Sequence, residues 1–537
     1  MTEAPHPLPF DELAEHTLPA LLRLLGERYG GREAVVAPEG RASYAELLAR
    51  CEEMAAGYLA AGLRPGERVG VLLPNGLRWL VATLGAHLAG LVAVPINTWY
   101  RSTEYAHVIT TAEPGLLVTQ EKLFGRAVLD DLAEAGHGGL FGPSDRPGYR
   151  GALLWPAPAR HPPGVTEGAR PPRIAVSPDD TALVLLTSGS TAVPKTVALR
   201  HGGLVRNARA MGARQHLVPG DRLWIASPFF FGYGCANALP VALDHAVTLC
   251  LQERVVGDAA LEFIEAERCT VYYGLGPTNH LLRAASTFGR RDISSLRTGT
   301  TGMSVEDKRV AIEELGIGEV CSVYGLTEAY GHSTMTDARD PVDVKLDTVG
   351  TILPTQEIRI VDERGEPCPT GTTGEVELRG CVIDSYLDMP EVDAVSFRSD
   401  GWFRTGDLGF LDERDYLHFV GRRKEMMKIK GINIAPAEIE DLLAGHEEIE
   451  QVHVVGAADG AGEERIVAFV VPRTGGGREQ LAQRLTEYVR VRAASYKVPH
   501  HFVPLAADDI PVTATGKVSR RGLRELAESD PNLGLPR

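Results

Sequence analysis

Residues 187–195 have the sequence Thr187-Ser188-Gly189-Ser190-Thr191-Ala192-Val193-Pro194-Lys195 and follow the apolar run 182–186. An apolar run of this length is typical of a buried strand. The loop after it combines small hydroxyl side chains, a glycine and a lysine, so its N–H groups and ammonium can face a phosphate. The segment therefore predicts a strand ending in a phosphate-binding loop, although many loops of this composition are ordinary turns.

Strands and helices alternate before this loop. The capping box Ser43-Tyr44-Ala45-Glu46 predicts the start of a helix that ends near residue 62. Apolar patterning predicts strands over 68–73 and 91–96, separated by a helix over 76–89. Because a strand–helix–strand order implies parallel pairing, we expect an α/β fold.

The pattern changes in the middle of the chain. Residues 142–173 are rich in Pro, Gly and Arg and lack periodicity, which predicts a surface excursion. Strand–helix alternation continues through 261–273 and 310–323, and short strands between glycine turns follow over 346–420.

The C-terminal segment has its own α+β pattern. Pro436 opens a predicted helix, strands are expected over 452–455 and 465–471, and a helix over 479–496 precedes a polar tail.

The chain has 537 residues, enough for more than one domain. The change of pattern after Gly421 places a predicted hinge at 422–424, between a domain over 1–421 and a domain over 425–537.

Composition excludes several classes of partner. The formal net charge of −16 disfavours nucleic acid and anionic membranes. We expect neither a membrane span nor a signal peptide, since no apolar run approaches about 20 residues and the N-terminus has no basic, apolar start. The seven cysteines have neither zinc-site nor disulfide spacing, so we expect reduced thiols and a cytoplasmic protein.

Two downstream motifs suit a nucleotide. Tyr324-Gly325-Leu326-Thr327-Glu328 follows an apolar strand and offers a ring, a glycine, a hydroxyl and a carboxylate for a base, a phosphate and Mg²⁺. The alternative is a helix start with an acidic first turn. In Thr405-Gly406-Asp407, the Asp407 carboxylate can accept hydrogen bonds from both hydroxyls of a ribose. The alternative is that Asp407 is an ordinary aspartate in a β-turn.

Two basic motifs follow. The run from Gly421-Arg422-Arg423-Lys424 to Lys428-Ile429-Lys430-Gly431 lies at the predicted boundary, where it can meet phosphate or simply face solvent. Pro511-Val512-Thr513-Ala514-Thr515-Gly516-Lys517 places a lysine on a loop. Pro511 stands where a Walker A loop needs Gly, and no GxSxG elbow occurs, so we reject P-loop NTPase and α/β-hydrolase functions.

Together, in this order, the motifs resemble those of the adenylate-forming superfamily, which includes acyl- and aryl-CoA synthetases, nonribosomal peptide adenylation domains and firefly luciferase. The resemblance extends from Ser43-Tyr44-Ala45-Glu46-Leu47 to Thr515-Gly516-Lys517. It implies a large N-terminal domain of layered α/β sheets with a small β-barrel-like subdomain. It also implies a small α+β C-terminal lid that pivots on a hinge at Lys424.

The resemblance implies a role for each nucleotide-site residue. Tyr324 would stack on adenine, Thr327 would contact the α-phosphate and Glu328 would bind Mg²⁺. Asp407 and Arg422 would hold the ribose. Phosphate-loop and adenine-side residues complete the set: Thr187, Ser188, Gly189, Ser190, Thr191, Lys195, Gly299, Thr300, Thr301 and Gly325.

The resemblance also assigns residues of the lid. Lys517 would bridge the α-phosphate and the attacking carboxylate. Lys428 and Asn433 match positions that carry Lys and Gln in plant coumarate ligases, near the nucleotide and the thioester chemistry. Lys430 and Gly431 fall where the lid would face the pantetheine tunnel. The implied cofactors are ATP, Mg²⁺ and coenzyme A, or the phosphopantetheine of a carrier protein.

The sequence departs from the family pattern at four places. Ala192 and Thr196 replace glycines of the phosphate loop, which restricts its backbone. Gly302 stands where Pro is common, and Val323 where many ligases have Gly. No charged residue of the site is lost, so we still expect activity.

The acyl group is expected to be hydrophobic. Residues 229–234 contain no acid, and a buried substrate ammonium without a partner would be unfavourable, so amino-acid substrates are disfavoured. Phe231 stands where relatives have a gating His or aromatic residue. The predicted pocket suits an aryl, polycyclic or fatty acid unless its glycines only serve turns, and its residues are Phe230, Phe231, Gly232, Gly274, Gly302, Val323 and Gly331.

Three functions therefore remain open. The first is an acid:CoA ligase, and the second is a stand-alone adenylating enzyme that loads a separate carrier protein. The third is a degenerate nucleotide-binding regulator, which the retained charged residues disfavour. A luciferase-type oxidation has no specific support, and the oligomeric state, a homodimer included, is left open.

Overall fold

The computed structural model describes residues 17–134, 151–155, 164–187, 195–429, 432–458, 464–473, 478–493, 495–513 and 517–529. Within these residues the α/β class is confirmed. The chain divides into two compact units. The first is formed by Met1–Met303, Arg309–Glu357 and Leu378–Phe403, and the second by Ser304–Lys308, Ile358–Glu377 and Arg404–Arg537.

The α-helices among the described residues are, in chain order, α1 (Leu18–Arg28), α2 (Tyr44–Ala60), α3 (Leu77–Leu88), α4 (Ser102–Ala112), α5 (Val128–Leu132), α6 (His201–Arg214), α7 (Leu239–Asp244), α8 (Gly257–Ala266), α9 (Gly276–Arg283), α10 (Val305–Arg309), α11 (Val342–Asp347), α12 (Pro390–Ser396), α13 (Pro436–Ala444), α14 (Arg478–Arg490) and α15 (Arg520–Ser529). Short π-helices span Tyr233–Ala238 and Val310–Glu314.

The strands of the first unit are β1 (Glu33–Ala37), β2 (Gly40–Ser43), β3 (Arg68–Leu72), β4 (Val92–Pro95), β5 (Leu116–Thr119), β6 (Lys122–Leu123), β7 (Arg126–Ala127), β8 (Ala152–Leu154), β9 (Thr181–Thr187), β10 (Lys195–Arg200), β11 (Arg222–Ile225), β12 (Thr248–Leu251), β13 (Val271–Tyr273), β14 (Thr298–Thr301), β15 (Glu319–Leu326), β16 (Gly331–Met335) and β17 (Thr351–Ile352).

The later strands are β18 (Gln356–Val361), β19 (Gly374–Gly380), β20 (Phe403–Leu411), β21 (Leu417–Arg422), β22 (Met427–Ile429), β23 (Ile432–Ile434), β24 (Ile449–Ala458), β25 (Glu464–Pro472) and β26 (His501–Pro504).

Local sequence explains the helix starts. The predicted capping box forms at α2, where Ser43 N donates to Glu46 Oε2 at 2.8 Å and Glu46 N donates to Ser43 Oγ at 3.3 Å. At α3 the cap comes from outside the helix, because Leu77 N donates to the Glu39 carboxylate at 3.1 Å. Both satisfy N–H groups that a helix start leaves free.

Two large sheets organise the first unit. Nine strands form one sheet, in the order β17-β16-β15-β14-β13-β11-β12-β1-β2, in which β15 to β1 are parallel. Six strands form the other, in the order β10-β9-β4-β3-β5-β8, and the predicted β3–α3–β4 unit is parallel as expected. The largest apolar core joins both sheets with α1, α2, α3, α6 and α7.

The second unit contains smaller sheets. The short strands predicted over 346–420 form a four-stranded sheet in the order β18-β19-β20-β21. In the C-terminal part, β24 and β25 pair antiparallel, and β25 and β26 pair parallel. Buried apolar residues of α13, α14 and α15 pack with those of β24 and β25.

Three segments differ from the sequence prediction. Ala152–Leu154, inside the predicted excursion, is an edge strand parallel to β5, and Trp155 after it is buried. The helix predicted over 479–496 ends at Arg490, where Arg492 N and Ala493 N both donate to Val489 O and close a turn. The predicted polar tail contains β26 and α15.

All seven thiols are unpaired, and every one except Cys368 is buried. Among the described residues, no helix has the length and apolar character needed to cross a membrane.

Candidate active site

Parallel strands bring several predicted site residues to one edge of the nine-stranded sheet. Gly274 follows β13, Gly302 follows β14, and Phe230 comes after β11. Tyr324 and Gly325 lie near the end of β15, where the strand leaves its parallel partner. The carboxyl ends of neighbouring parallel strands are where open α/β sheets bind ligands.

The predicted phosphate loop joins the two strands of a hairpin. β9 and β10 are antiparallel, and Thr187 and Lys195 pair with each other at the end of the hairpin next to the loop. The loop between them, which includes Ser188, Gly189, Ser190 and Thr191, lies outside the described residues. Lys195 is therefore the first described residue after this loop.

One tyrosine connects Lys195 with Glu328. Lys195 Nζ donates to Tyr386 Oη at 3.2 Å and lies 4.5 Å from the centre of the tyrosine ring. Tyr386 Oη donates to Glu328 Oε1 at 2.8 Å. Burial and the negative charge of Glu328 raise the pKa of the Tyr386 phenol, so it stays a neutral donor. The structure thus brings two predicted site residues together through one that the sequence analysis missed.

Backbone hydrogen bonds fix this arrangement. Ile383 N donates to Glu328 O at 2.8 Å, and Leu387 N donates to Thr196 O at 3.0 Å. Tyr386 N donates to Asp393 Oδ1 at 2.7 Å. The segment 383–387 is therefore attached both to the Glu328 turn and to the Lys195 strand.

Hydroxyl and amide groups line the neighbouring strand ends. Tyr233 Oη and Thr300 Oγ1 lie 2.6 Å apart, and Asn279 Nδ2 donates to Thr301 Oγ1 at 2.9 Å. Asn279 Oδ1 accepts in turn from Tyr272 Oη at 2.5 Å. These bonds hold the predicted adenine-side segment in a fixed position.

Tyr324 is the predicted adenine-stacking residue, and its side chain is only 2% exposed. Gly325 after it is exposed, and a β-bulge separates the two residues. A base stacked on the Tyr324 ring would require neighbouring groups to move.

An aromatic cluster forms at Phe230 and Phe231. The centres of these two rings lie 4.5 Å apart. The ring centre of Trp99 lies 5.3 Å from that of Phe230 and 5.7 Å from that of Phe231. Trp99 is 43% exposed, so the cluster reaches the surface. A Cβ atom at Gly232, the next residue, would lie 3.5 Å from Thr327 Oγ1, so the other end of the cluster adjoins the predicted phosphate contact.

The loop that carries Trp99 is held by polar contacts. Trp99 N donates to Asn97 Oδ1 at 2.8 Å. The Arg126 guanidinium donates to Tyr100 O at 2.7 Å and to Thr98 O at 3.0 Å. Trp99 therefore has a defined position beside the predicted acyl pocket, which no local pattern in the sequence indicated.

Close packing explains several predicted pocket glycines. A Cβ at Gly274 would lie 2.1 Å from the Tyr272 hydroxyl, and one at Gly331 would lie 1.6 Å from Asn237 Oδ1. At Gly299 and Gly325 a Cβ would lie 1.9 Å from a carbonyl oxygen. These glycines permit close approach of neighbouring groups, where a Cβ atom would clash.

His332 is a buried histidine next to Gly331. Its Nε2 lies 3.5 Å from Asn237 Nδ2, and burial lowers its pKa to about 4. Val323, on the adjacent strand, is also buried. The predicted pocket residues Val323 and Gly331 therefore lie in a neutral environment.

In the second unit, Asp407 and Arg422 face each other across β20 and β21. Arg422 Nε lies 3.4 Å from Asp407 Oδ1. Asp407 is only 5% exposed, whereas the Arg422 side chain is 58% exposed. The turn before them is braced, because Asp407 N donates to Thr405 Oγ1, which donates to Val376 O.

Lys517 lies at the edge of a turn in the same unit. Thr513 N donates to Lys517 O at 2.7 Å, and the side chain reaches solvent. Desolvation by the surrounding protein and the positive charge of Arg422 lower the pKa of its ammonium. The structure therefore places Lys517 within electrostatic range of the predicted ribose residue Arg422.

Arg520 anchors the segment that follows Lys517. Its guanidinium donates to both carboxylate oxygens of Glu440 at 2.8 Å, to Val454 O at 2.6 Å, and contacts Glu425 at 3.1 Å. Bidentate pairs of this kind have a fixed geometry. The sequence analysis did not identify Arg520.

The remaining lid residues are partly described. Lys428 and Asn433 are direct cross-strand neighbours in the β22–β23 hairpin, and the Lys428 side chain is exposed. Lys430 and Gly431 lie outside the described residues. Lys424 is exposed in a short 3₁₀ turn, Arg423–Glu425, after β21, and its role as a hinge stays a prediction.

Comparisons with known proteins cover almost the whole chain. Residues 23–387 match the model of the AMP-binding enzyme family, and residues 438–517 match that of the AMP-binding enzyme C-terminal domain. The first match alone spans well over half of the chain.

Two curated relatives and one solved structure illustrate the similarity. The chain is 32% identical to the 3-[(3aS,4S,7aS)-7a-methyl-1,5-dioxo-octahydro-1H-inden-4-yl]propanoyl:CoA ligase of Mycobacterium tuberculosis, over 95% of this chain and 99% of that one. It is 30% identical to the mouse mitochondrial medium-chain acyl-CoA ligase ACSF2, over 96% and 88% of the two chains. The ATP-bound crystal structure of MatB from Rhodopseudomonas palustris aligns with a TM-score of 0.82 at 27% identity, over 95% and 99% of the chains.

Proposed function

The chain belongs to the AMP-binding enzyme family, and from this membership we propose that it is an ATP-dependent acid:CoA ligase acting on a hydrophobic carboxylic acid. Its relatives over nearly the full length are acyl-CoA ligases, which supports an AMP-forming acid–thiol ligase. The observation that carries the proposal is the meeting of Lys195 and Glu328 at the Tyr386 hydroxyl. A cation for phosphate beside a carboxylate for a metal ion is what activation by a polyphosphate requires.

The proposed reaction has two steps. In the first, a carboxylate oxygen of the acid bonds to the α-phosphorus of ATP while the bond to pyrophosphate breaks, which gives an acyl-AMP. In the second, the sulfur of a thiolate bonds to the acyl carbon, and the carbon–oxygen bond to AMP breaks. Activation is necessary because the oxygen of a free carboxylate is a poor leaving group. Negative charge gathers in the first step, so fixed positive charges accelerate it.

The described residues suit the charges of this chemistry. We assign Lys195 to the β- and γ-phosphates and Thr327 to the α-phosphate. Asp407 is assigned to the ribose hydroxyls, with Arg422 as its partner. Lys517 is assigned to the α-phosphate and the attacking carboxylate.

Glu328 fits a magnesium ion. Among the residues that the structure describes, no group of three or more His, Cys, Asp and Glu side chains could hold a metal. Mg²⁺ in nucleotide sites is held by one or two carboxylates together with phosphates and water, so a single carboxylate near Lys195 is sufficient. The bound ion would neutralise phosphate charge.

The substrate class follows from the walls of the predicted pocket. The cluster of Trp99, Phe230 and Phe231 is apolar, and His332 nearby is held neutral by burial. The mycobacterial relative is named for a bicyclic propanoyl group, and the mouse relative for medium-chain acyl groups. We therefore propose an aryl, polycyclic or fatty acid as substrate.

The acceptor and the setting remain proposals. The CoA-ligase relatives favour coenzyme A over a separate carrier protein. We further propose that Lys428, Asn433, Lys430 and Gly431 serve the thioester step and that Lys424 is the hinge. The cytoplasmic location stays a prediction from the unpaired cysteines.

The direct test is pyrophosphate and AMP release with Mg-ATP over a panel of carboxylic acids, each with and without CoA. We expect release that depends on a hydrophobic acid, and AMP with a thioester only when CoA is added. Turnover restricted to small polar acids would contradict the substrate class. Pyrophosphate release without any thioester would contradict the proposal that CoA is the acceptor. The absence of turnover with every acid would contradict the proposal that the protein is an acid:CoA ligase.

A further inference from the structure

Tyr386 occupies the junction between two oppositely charged site residues. Its hydroxyl accepts from Lys195 Nζ at 3.2 Å and donates to Glu328 Oε1 at 2.8 Å. Without this hydroxyl, a lysine and a glutamate so close together would attract each other directly, because opposite charges at such distances attract strongly away from bulk water. A Lys195–Glu328 ion pair would occupy both groups that Mg-ATP needs.

We propose that Tyr386 is a positioning residue: its hydroxyl lies between Lys195 and Glu328 and keeps them from pairing with each other, so that each is held where it would contact the triphosphate or its metal ion. This inference rests on the proposed function of the same site. The neutral hydroxyl satisfies one oxygen of Glu328 and leaves the rest of the carboxylate for a cation. The ring supports the Lys195 ammonium from one side by a cation–π contact at 4.5 Å.

The tyrosine is itself firmly held. It is 2% exposed, its ring packs on Phe397 with centres 6.4 Å apart, and its backbone N–H is bound by Asp393. The same segment bonds to the backbone of Glu328 through Ile383. A side chain fixed in this way can hold two charged side chains in a constant geometry, which reduces the cost of ordering them on binding.

The proposed role of Tyr386 predicts different effects on the binding of ATP and of AMP. Lys195 and Glu328 are assigned to the β- and γ-phosphates and Mg²⁺, so Tyr386 should matter for ATP and not for AMP. A merely structural tyrosine would affect both nucleotides alike, or neither.

The experiment is calorimetric titration of the full-length Tyr386→Phe variant with Mg-ATP and, separately, with AMP. We expect the dissociation constant for Mg-ATP to rise about tenfold or more, since a hydrogen bond to a charged group is lost, while that for AMP stays unchanged. Tyr58→Phe is the matched control, because it removes another buried hydroxyl, which donates to Ala82 O at 3.0 Å, outside the site. Tyr386→Leu, which also removes the ring, should weaken Mg-ATP further.

Equal weakening of ATP and AMP by Tyr386→Phe would overturn the inference, and so would unchanged affinity for both. Because binding is measured without turnover, the outcome does not depend on finding the acid. If the wild-type protein binds Mg-ATP but activates no acid, the proposed function is wrong. The titrations of the Tyr386→Phe variant with Mg-ATP and AMP would still decide the role of Tyr386.

Discussion

Arg422 Nε lies 3.4 Å from Asp407 Oδ1, and the two residues are direct partners on adjacent antiparallel strands. The carboxylate is nearly buried while the guanidinium is largely exposed. Arg422 therefore helps to orient the buried Asp407 carboxylate, which is what a ribose-binding carboxylate needs.

Asp407→Asn should weaken AMP and ATP equally, because both nucleotides carry the ribose. Loss of hydrogen bonds to a charged group costs about 1.5–3 kcal/mol, which corresponds to about tenfold or more in the dissociation constant. Calorimetric titration measures both nucleotides. Glu413→Gln, an exposed acid in the β20–β21 turn, should have no effect. Weakening of ATP alone would contradict a ribose role for Asp407.

Lys517→Ala should separate the two half-reactions. Acyl-AMP formation should fall by about 10²–10³, the typical loss when a group that stabilises transition-state charge is removed. Thioester formation from acyl-AMP supplied ready-made should change little. Single-turnover assays of each step measure this, with exposed Arg521→Ala as the control. Equal losses in both steps would show that Lys517 acts on something other than adenylation.

A buried histidine pair should make the protein sensitive to acid. His87 and His201 are fully buried with ring centres 5.0 Å apart, and burial lowers the pKa of His87 to about 4. Between about pH 6.5 and 4 the unfolded chain binds a proton that the folded protein does not. The neutral His87 imidazole therefore contributes its full share to the free energy of unfolding above pH 6.5, and this share is lost as the pH falls towards 4.

For His87 alone, the free energy of unfolding should fall by about 2 kcal/mol between pH 7 and pH 5. Denaturant unfolding at both pH values measures this change, and His87→Gln should reduce it. Identical pH dependence in the variant and the wild type would show that His87 does not titrate abnormally in the fold.

Gly299→Ala should destabilise the protein strongly. The backbone has φ of +139° there, and a Cβ would lie 1.9 Å from the Tyr272 carbonyl oxygen. We expect a loss of at least about 3 kcal/mol in denaturant unfolding, because both strain and a steric clash arise. Gly401→Ala is the control, since φ is +83° but a Cβ would meet open space, and about 1–2 kcal/mol should be lost. Similar losses at both positions would contradict the packing explanation.

Local patterns predicted much of the first unit. The capping box before α2 and the β3–α3–β4 order involve residues that are close in sequence, so their geometry follows from spacing alone. The C-terminal strand β26 and helix α15 were not predicted. The apolar residues of α15, Leu523, Leu526 and Ala527, have helical spacing, but the sequence analysis took the charged residues around them for a polar tail.

The motifs located Lys195, Glu328, Asp407 and Arg422, but not the residue that connects the first two. Tyr386 lies 191 residues after Lys195 and 58 after Glu328, and its role depends entirely on tertiary contacts. Trp99 was missed for the same reason, because its aromatic partners are more than 100 residues away in the sequence.

The central claim is that the acid is activated as an acyl-AMP, and oxygen transfer tests it most directly. The active hydrophobic acid, labelled with ¹⁸O in its carboxylate, is converted with Mg-ATP and CoA, and the products are analysed by mass spectrometry. Attack on the α-phosphorus requires one ¹⁸O atom in each AMP and none in pyrophosphate. Unlabelled AMP, or label in inorganic phosphate with ADP as the product, would contradict the account.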